Sequence, residues 1–187
     1  MKTTIKNTSI IILNILIISG IISCKRNSAD PEDPDPHNES ELITTVMITF
    51  NGSNGSAFTY AWRDTDGPGG SQPTIDTIRL VNGETYQAEV QFLDESGDAT
   101  IDITEEIKEE ADEHLVCYET GANALDIETT DKDGNNYPIG IETTWKTGAQ
   151  ATTEVKVVLK HQPGQKDGTC DPGETDVEVV FPVVIAS

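Results

Sequence analysis

The segment ETYQAEVQFL, residues 84–93, decides the fold class because its side chains alternate between apolar and polar. The apolar set on one face consists of Tyr86, Ala88, Val90 and Phe92. The opposite face carries glutamine and glutamate side chains that suit contact with water. A period of two residues is that of a half-buried β-strand, so we predict a strand here with one face in a hydrophobic core.

The dipeptide Asn82-Gly83 stands immediately before this segment, and residues 74–81 (TIDTIRLV) form another strand-like run before it. Asn-Gly between two strands is the strongest short signal for a two-residue hairpin, because both positions of that turn need positive φ angles. We therefore predict that residues 74–81 and 84–93 pair as an antiparallel hairpin.

Seven further segments are rich in valine, isoleucine, threonine and aromatic residues, which strands favour. They are residues 41–50, 57–63, 114–120, 124–130, 139–146, 153–161 and 176–186. About nine evenly spaced strands predict an all-β fold, an antiparallel β-sandwich of immunoglobulin-like or Greek-key type, with a closed β-barrel as the alternative. Pro182 inside the last segment indicates an edge strand or a bulge.

Residues 102–113 break the period of two. Their apolar side chains recur every fourth residue, at Ile103, Ile107 and Ala111, as on one face of a helix. Asp102 or Thr104 can cap its start. We predict one short helix that leans this stripe on a sheet.

The N-terminus has the pattern of a bacterial lipoprotein signal peptide. Lys2 and Lys6 precede an apolar run at residues 10–22, and Cys24 follows a small residue. The run is shorter than the roughly 20 apolar residues of a membrane-spanning helix and has the length of a signal-peptide core. Lipidation would make Cys24 the first residue of the mature chain and anchor it to a membrane. A plain secretory signal and an uncleaved anchor remain alternatives.

We predict three parts for the chain. Residues 1–23 are the signal peptide, residues 24–40 hold the lipidated cysteine and a tether, and residues 41–187 form the folded domain. The tether is dominated by proline, acidic residues, asparagine and serine, a composition typical of disorder.

The chain is strongly acidic, with 12 basic residues against 33 acidic residues and a formal charge of −21. Removal of residues 1–23, which carry two lysines and no acid, leaves 12 − 2 = 10 basic residues and a charge of −23. Such a surface repels nucleic acid and favours cations, metal ions and basic partners. Solubility alone is also a sufficient reason for it.

Two cysteines remain besides Cys24. An exported chain meets an oxidising compartment, where a Cys117–Cys170 disulfide would stabilise the fold by about 4 kcal/mol through loop closure. Two free thiols are the alternative. The chain has no CxxC motif, so we do not expect thiol redox catalysis.

Two histidines are the first candidate site. His114 lies on the apolar face of its strand, and His161 is the last residue on the apolar face of another, so both would lie at strand ends beside the core. With the carboxylates of Asp112 and Glu113 they form a ligand set suited to zinc or copper, and two histidines also clamp haem iron in some proteins. The alternative is a pair of structural or surface histidines.

Acidic loops are the second candidate site, for calcium. Asp131, Asp133, Asn135 and Glu142 have the 1, 3, 5, 12 spacing of an EF-hand loop, although its sixth position is asparagine. Asp64 and Asp66 form another such cluster, and Asp167, Asp171, Glu174 and Asp176 a third. Ordinary Asp-Gly turns explain these loops equally well.

Several stretches resemble a family of small lipoproteins from Bacteroidota, whose members are often labelled "type 1 periplasmic binding fold superfamily". The stretches are residues 41–50 after an acidic tether, AWRDTDGPGG (61–70), DITEEIKEEADEH (102–114), VVLKHQPGQKDG (157–168) and ETDVEVVFPV (174–183). The resemblance covers nearly all of the mature chain. It implies an outer-membrane lipoprotein of the kind that partners TonB-dependent receptors in nutrient capture. Lys25 and Arg26 precede the first acid, Asp30, so the periplasmic and surface faces both stay open.

We therefore expect a binding protein, not an enzyme, since no nucleophile elbow, P-loop, dinucleotide fingerprint or HExxH motif is present. The expected cargo is a cation, a metal complex or haem, delivered to a TonB-dependent transporter. The alternative is a structural or adhesive surface module with calcium-stabilised acidic loops.

Overall fold

The structure is a computed structural model that describes residues 42–52, 55–67, 69–121 and 124–187. The predicted signal peptide, Cys24 and the tether lie outside these ranges. The elements are β1 Thr45–Asn51, β2 Ala57–Arg63, β3 Thr74–Ile75, β4 Ile78–Val81, β5 Thr85–Asp94, β6 Ile101–Asp102, α1 Thr104–Glu109, β7 His114–Thr120, β8 Leu125–Thr129, β9 Glu142–Thr147, β10 Ala151–His161 and β11 Glu174–Ala186.

Two sheets face each other. The larger sheet has the strand order β3-β2-β1-β5-β9-β8, with β6 beside β5, and the smaller sheet has the order β4-β11-β10-β7. The prediction of an all-β sandwich is confirmed, and the closed barrel is not formed. All strand pairs are antiparallel except β4 with β11, which is parallel.

The alternating faces of the strands form one core between the sheets. β5 buries the four apolar residues of its predicted inner face, and β1 buries Val46, Ile48 and Phe50. Trp145 of β9 is fully buried beside Phe50, and its indole N–H donates to Thr143 Oγ1 at 2.8 Å. Removal of this apolar surface from water is the main favourable contribution to folding.

The predicted hairpin at Asn82-Gly83 is wrong, because its two strands lie in different sheets. Both edges of β5 are taken by β1 and β9, so β4 crosses to the smaller sheet and pairs with β11. The turn is held to the ends of other strands: the Asn82 amide donates to the Ala186 carbonyl, and the Gly83 amide donates to the Thr147 carbonyl. A turn forms at these residues, but only Gly83 has the positive φ that the hairpin turn needs at both positions, and Asn82 does not. The distant partners of β5 decide the pairing.

The predicted strand at residues 74–81 is two short strands with a switch between sheets. Asp76 lies at the switch, where its amide donates to the Ala61 carbonyl and its Oδ2 accepts from the Ala61 amide at 2.9 Å. The Asp76 carboxylate thus takes the place of a backbone carbonyl as the acceptor for the Ala61 amide, and the chain can leave the larger sheet after β3.

A helix forms within the predicted residues 102–113, but α1 spans only Thr104–Glu109, and its N-cap residue is Ile103, which makes no side-chain cap hydrogen bond. Ile107 is fully buried, Ile103 is 8% exposed, and Ala111 packs against the core, so the apolar stripe is as predicted. Asp102 Oδ1 accepts the Thr104 amide at 3.0 Å, whereas the Thr104 hydroxyl bonds to the backbone of Phe92. The described residues contain no helix long and apolar enough to cross a membrane.

Pro182 lies in a strand with neighbours on both sides, so the predicted edge position is wrong. It pairs with Glu154 of β10 and stands one residue before Val183, where the pairing with β4 begins. Its missing amide therefore costs no hydrogen bond to β4. The bulge of β11 lies elsewhere, opposite Leu159 and Lys160.

Candidate functional site

His114 and His161 are direct cross-strand partners at one end of the smaller sheet. Their rings stack with centroids 4.7 Å apart and planes inclined by 10°. His114 is 2% exposed and His161 8% exposed. We call this end of the sandwich, where β7 begins and β10 ends, the histidine end.

Strand parity explains why two polar rings are buried. The inward residues of β10 are Val155, Val157 and Leu159, and His161 follows them at the same period. Its partner across the ladder, His114, follows the same rule as the first residue of β7. Burial of the apolar faces therefore carries both imidazoles inward.

The tautomer of His114 is fixed by a backbone contact. Its Nδ1 lies 3.2 Å from the carbonyl oxygen of Glu110, which only accepts, so Nδ1 carries the proton. Burial lowers the pKa of His114, and the neighbouring His161 lowers it further. The hydrogen bond to the Glu110 carbonyl raises this pKa but does not outweigh them. A neutral imidazole protonated on Nδ1 leaves the Nε2 lone pair for another partner.

His161 has a ring nitrogen without a hydrogen-bond partner. Its Nε2 is buried and lies 3.6 Å from Glu113 Oε2, beyond hydrogen-bonding distance. A buried polar atom left in this state costs about 1–3 kcal/mol, so it marks a site that a ligand would satisfy.

Glu110 forms, with the two histidines, a group of three side chains that could hold a metal ion. One ligand atom each from Glu110, His114 and His161 lies within 4.8 Å of the others, and among the described residues this is the only such group of His, Cys, Asp or Glu side chains. Of the carboxylates predicted from the sequence, Glu113 is beside His161, whereas Asp112 is exposed and outside the group. The spacing of Glu110 and His114, four residues apart, was the available signal for Glu110.

Asp176 is a further carboxylate of this site. β11 pairs Val177 with Leu159 and Thr175 with Lys160, so Asp176 is the extra residue of the bulge. Bulges re-aim side chains, and this one brings Asp176 within electrostatic range of both histidines. Burial raises the pKa of Asp176 against the opposing pull of His161 and His114, and its Oδ2 is buried without a hydrogen-bond partner.

The loop that follows β10 starts at the histidine end and is fastened to the outer face of the smaller sheet. The Gln162 side chain donates to the carbonyls of Thr169 and Pro172 at 2.9 and 3.0 Å. A disulfide joins Cys170 of this loop to Cys117 of β7, with Cα atoms 6.2 Å apart. Gly173, with φ +80°, has no room for a side chain because a Cβ would lie 2.1 Å from the His161 carbonyl oxygen.

The geometry discriminates between the predicted cofactors. Bis-histidine haem ligation needs imidazoles on opposite faces of the porphyrin, and rings stacked side by side do not provide this. Two imidazoles and a carboxylate are a ligand set for zinc or copper. Zinc–nitrogen bonds of about 2.0–2.1 Å put tetrahedral ligand atoms roughly 3.4 Å apart. The ligand atoms of this group lie within 4.8 Å of one another, so they would have to move closer together to bind an ion.

Asp131 of the EF-hand-like loop is occupied by backbone amides. Its Oδ1 accepts from Gly140 at 2.8 Å, and its Oδ2 accepts from Ile141 at 2.9 Å and Glu142 at 3.0 Å. The side chain of Glu142 is exposed. Asn136, at the position that an EF-hand reserves for glycine, adopts a φ of 69°.

Asp133 of the same loop forms a buried ion pair. Its Oδ2 lies 2.9 Å from Lys166 Nζ, and the two side chains are 0% and 2% exposed. Its Oδ1 accepts from the amides of Asn135 and Tyr137, both at 2.9 Å. Lys166 Nζ also donates to the Ala111 carbonyl at 2.6 Å. An ammonium group thus stands where the calcium hypothesis placed an ion.

Asp66, in the second of the three acidic clusters predicted as calcium candidates, closes a local turn. Its Oδ2 accepts the Ser71 amide at 2.8 Å, and Ser71 lowers the pKa of Asp66. Asp64 lies before this turn, with its amide donating to the Thr44 carbonyl. These contacts are those of an Asp-Gly turn.

No protein-family model, curated protein or solved structure matches this chain.

Asp133→Asn should lower the free energy of unfolding by about 3 kcal/mol at pH 7, because it leaves Lys166 buried without its counter-charge. Burial raises the pKa of Asp133, but Lys166 and the two amides outweigh it and hold the pKa below the usual 3.8. The stabilisation by a lowered carboxyl pKa is present above the unfolded value and lost as the pH falls through the folded value. The wild-type advantage should therefore shrink below about pH 4.

Chemical denaturation of both proteins between pH 7 and pH 2 measures this difference. Asp126→Asn is the matched control, since Asp126 is 75% exposed and 4.0 Å from Lys146, and it should change stability by less than about 0.5 kcal/mol. An Asp133→Asn difference that stays constant over this pH range would contradict the ion-pair account.

Proposed function

We propose that this protein is a cell-envelope binding module that captures a borderline divalent cation, zinc or copper, with His114, His161 and Glu110. The observation that carries the proposal is the unpartnered, buried Nε2 of His161 within a group whose ligand atoms lie within 4.8 Å of one another. Capture of a cation by this group would give this nitrogen a partner.

The charges around the histidines favour a cation. Glu110 and Glu113 stand on the chain before β7, and Asp176 comes from the bulge of β11. Three carboxylates around two imidazoles give the site an excess of negative charge that a divalent ion offsets. The Glu110 carbonyl, 3.2 Å from Nδ1 of His114, would orient that ring as an outer partner of the ion. Glu113 Oε2, 3.6 Å from the His161 Nε2, would stand beside the ion as a further carboxylate.

Binding, in place of catalysis, is the activity that this geometry supports. Both histidines are buried at the end of a packed core, 2% and 8% exposed, and such burial suits the binding of an ion better than access by an organic substrate. The acidic loops favour a calcium module less, because Asp131 holds three amides and Asp133 holds Lys166.

The location that we propose is the outer membrane, on its periplasmic or surface face, with a lipid on Cys24. The charged start, the short apolar run and the cysteine after a small residue support it. The folded domain begins near the histidine end: the Thr44 amide bonds to the Leu93 carbonyl, and Leu93 pairs with Asp102 just before α1. The resemblance to Bacteroidota lipoproteins supports a TonB-dependent receptor as the partner that accepts the cargo.

His161→Ala should weaken zinc binding at least about 100-fold, because it removes one of three ligands from a site that has no spare imidazole. His114→Ala should have a similar effect, and Glu110→Gln a smaller one. Isothermal titration of each purified protein with zinc, and separately with copper, measures the affinity. The wild-type protein should bind one equivalent at this site.

Asp112→Asn and His37→Ala are the matched controls, since they remove an exposed neighbouring acid and the remaining histidine of the chain. Both should leave the affinity unchanged. Circular dichroism spectra show whether each variant is folded. Equal zinc affinity in wild type, His114→Ala and His161→Ala would refute the proposal. A thermal shift with calcium alone would favour the structural module instead.

Cys24→Ser should abolish lipid attachment, because the thioether-forming sulfur is lost. Cells grown with an alkyne-tagged fatty acid should label the wild-type protein and a Cys117→Ser variant but not Cys24→Ser. Release of the unlabelled variant from the membrane fraction should accompany this loss. Retention of label on Cys24→Ser would contradict the proposed anchor.

A further inference from the structure

A cleft of about 430 Å³ opens between β2 and β4 at the end of the sandwich opposite the histidines. Val81 of β4 lines the cleft and pairs with Ala186. The neighbouring Ile185 pairs with Ala151, the first residue of β10, so the cleft lies near the start of β10. His161 ends β10, so the strand separates the two sites by about 33 Å at 3.3 Å per residue. The volume lies within the range of small-molecule sites.

The cleft follows from the sheet switch described above. β4 is a four-residue strand at the edge of the smaller sheet, and β2 lies next to the edge of the larger sheet. The two strands are joined across the gap by Tyr60, whose hydroxyl donates to the Arg79 carbonyl at 3.1 Å. Because both strands lie at or next to a sheet edge, the sheets stay apart here and the side chains between them are accessible.

Aromatic rings form the apolar part of the cleft. Phe58, Tyr60 and Tyr86 line it, and Phe58 stacks on the buried Phe50 with centroids 5.6 Å apart and planes inclined by 16°. Phe50 stacks on one face of the Phe58 ring, and Phe58 is half-buried, so part of its side chain stays accessible in the cleft. The rings of Tyr60 and Tyr86 stand nearly perpendicular to it, at 76° and 82°.

Polar groups of both kinds surround these rings. The Tyr86 hydroxyl accepts the Val81 amide at 2.9 Å and keeps its own hydrogen, whereas the Tyr60 hydroxyl donates to Arg79 and keeps lone pairs. The exposed guanidinium of Arg79 and carboxylate of Glu84 also line the cleft. One positive and one negative side chain give the cleft no net charge, in contrast to the acidic chain as a whole.

We propose that this cleft binds a neutral sugar. A sugar ring has a flat face of C–H groups that packs on an aromatic ring, and a rim of hydroxyls that both donate and accept. Phe58 supplies the flat surface, Arg79 and the Tyr86 hydroxyl supply donors, and Glu84 and the Tyr60 oxygen supply acceptors. The strongly acidic chain disfavours anionic sugars.

Saturation-transfer NMR of the purified protein with methyl glycosides of glucose, galactose, mannose and xylose tests the proposal. At least one of them should show transfer to its ring C–H protons. Phe58→Ala and Arg79→Ala should each weaken its binding tenfold or more. Tyr137→Ala is the matched control, since Tyr137 is 38% exposed and lies near Gly168 in the loop beyond the histidine end. It should leave binding unchanged.

Three results would overturn the sugar site. They are no transfer to any glycoside at 10 mM, transfer only to indole or benzyl alcohol, and binding that survives both cleft substitutions. Arg79→Ala keeps the test decisive if Phe58→Ala does not fold, because the Arg79 side chain is exposed. Binding of the sugar should persist in His161→Ala, so the outcome is independent of the metal proposal.

Discussion

The burial of one face of β10 is the constraint on which the candidate site depends. Val155, Val157 and Leu159 are all fully buried, and the next position of the same face is His161. The strand cannot expose this imidazole without turning its apolar residues to water, at roughly 2 kcal/mol for each side chain. The register with β7 then fixes His114 opposite His161. The fold therefore holds two imidazoles together before any ligand arrives.

The surroundings of the histidines come from separate parts of the chain. The residues after α1 supply Glu110 and Glu113, and the bulge of β11 supplies Asp176. The loop after β10 is tied down by the disulfide and by Lys166, which contacts both Asp133 and the Ala111 carbonyl. A ligand set that the fold already holds together loses little conformational entropy when it binds an ion.

Alternating patterns made the strands and the inner faces predictable. The inward positions of β5 and β10 follow directly from the sequence, and so do the buried sides of Ile103 and Ile107 on α1. Sheet assignment was not predictable from local signals. The dipeptide Asn82-Gly83 is typical of hairpin turns, but the partners of β5 lie far away in sequence at β1 and β9. A turn signal carries no information about which edges distant strands occupy.

The candidate site was predictable from the sequence to about the same extent as the fold. Strand parity placed His114 and His161 beside the core, but their pairing required the register of β7 on β10. The carboxylates were harder to assign, because acids are abundant and only packing separates exposed Asp112 from Glu110. Asp176 needed knowledge of a bulge, and spacing could not distinguish an EF-hand loop from one closed by Lys166.

Anomalous diffraction at the zinc edge from zinc-soaked crystals would show whether the histidine end binds an ion. We expect one strong peak between His114, His161 and Glu110, within about 2.2 Å of an imidazole nitrogen of each histidine. A map with no peak there and the two rings still stacked, or with peaks only at exposed carboxylates, would mean that the histidine end is not a metal site.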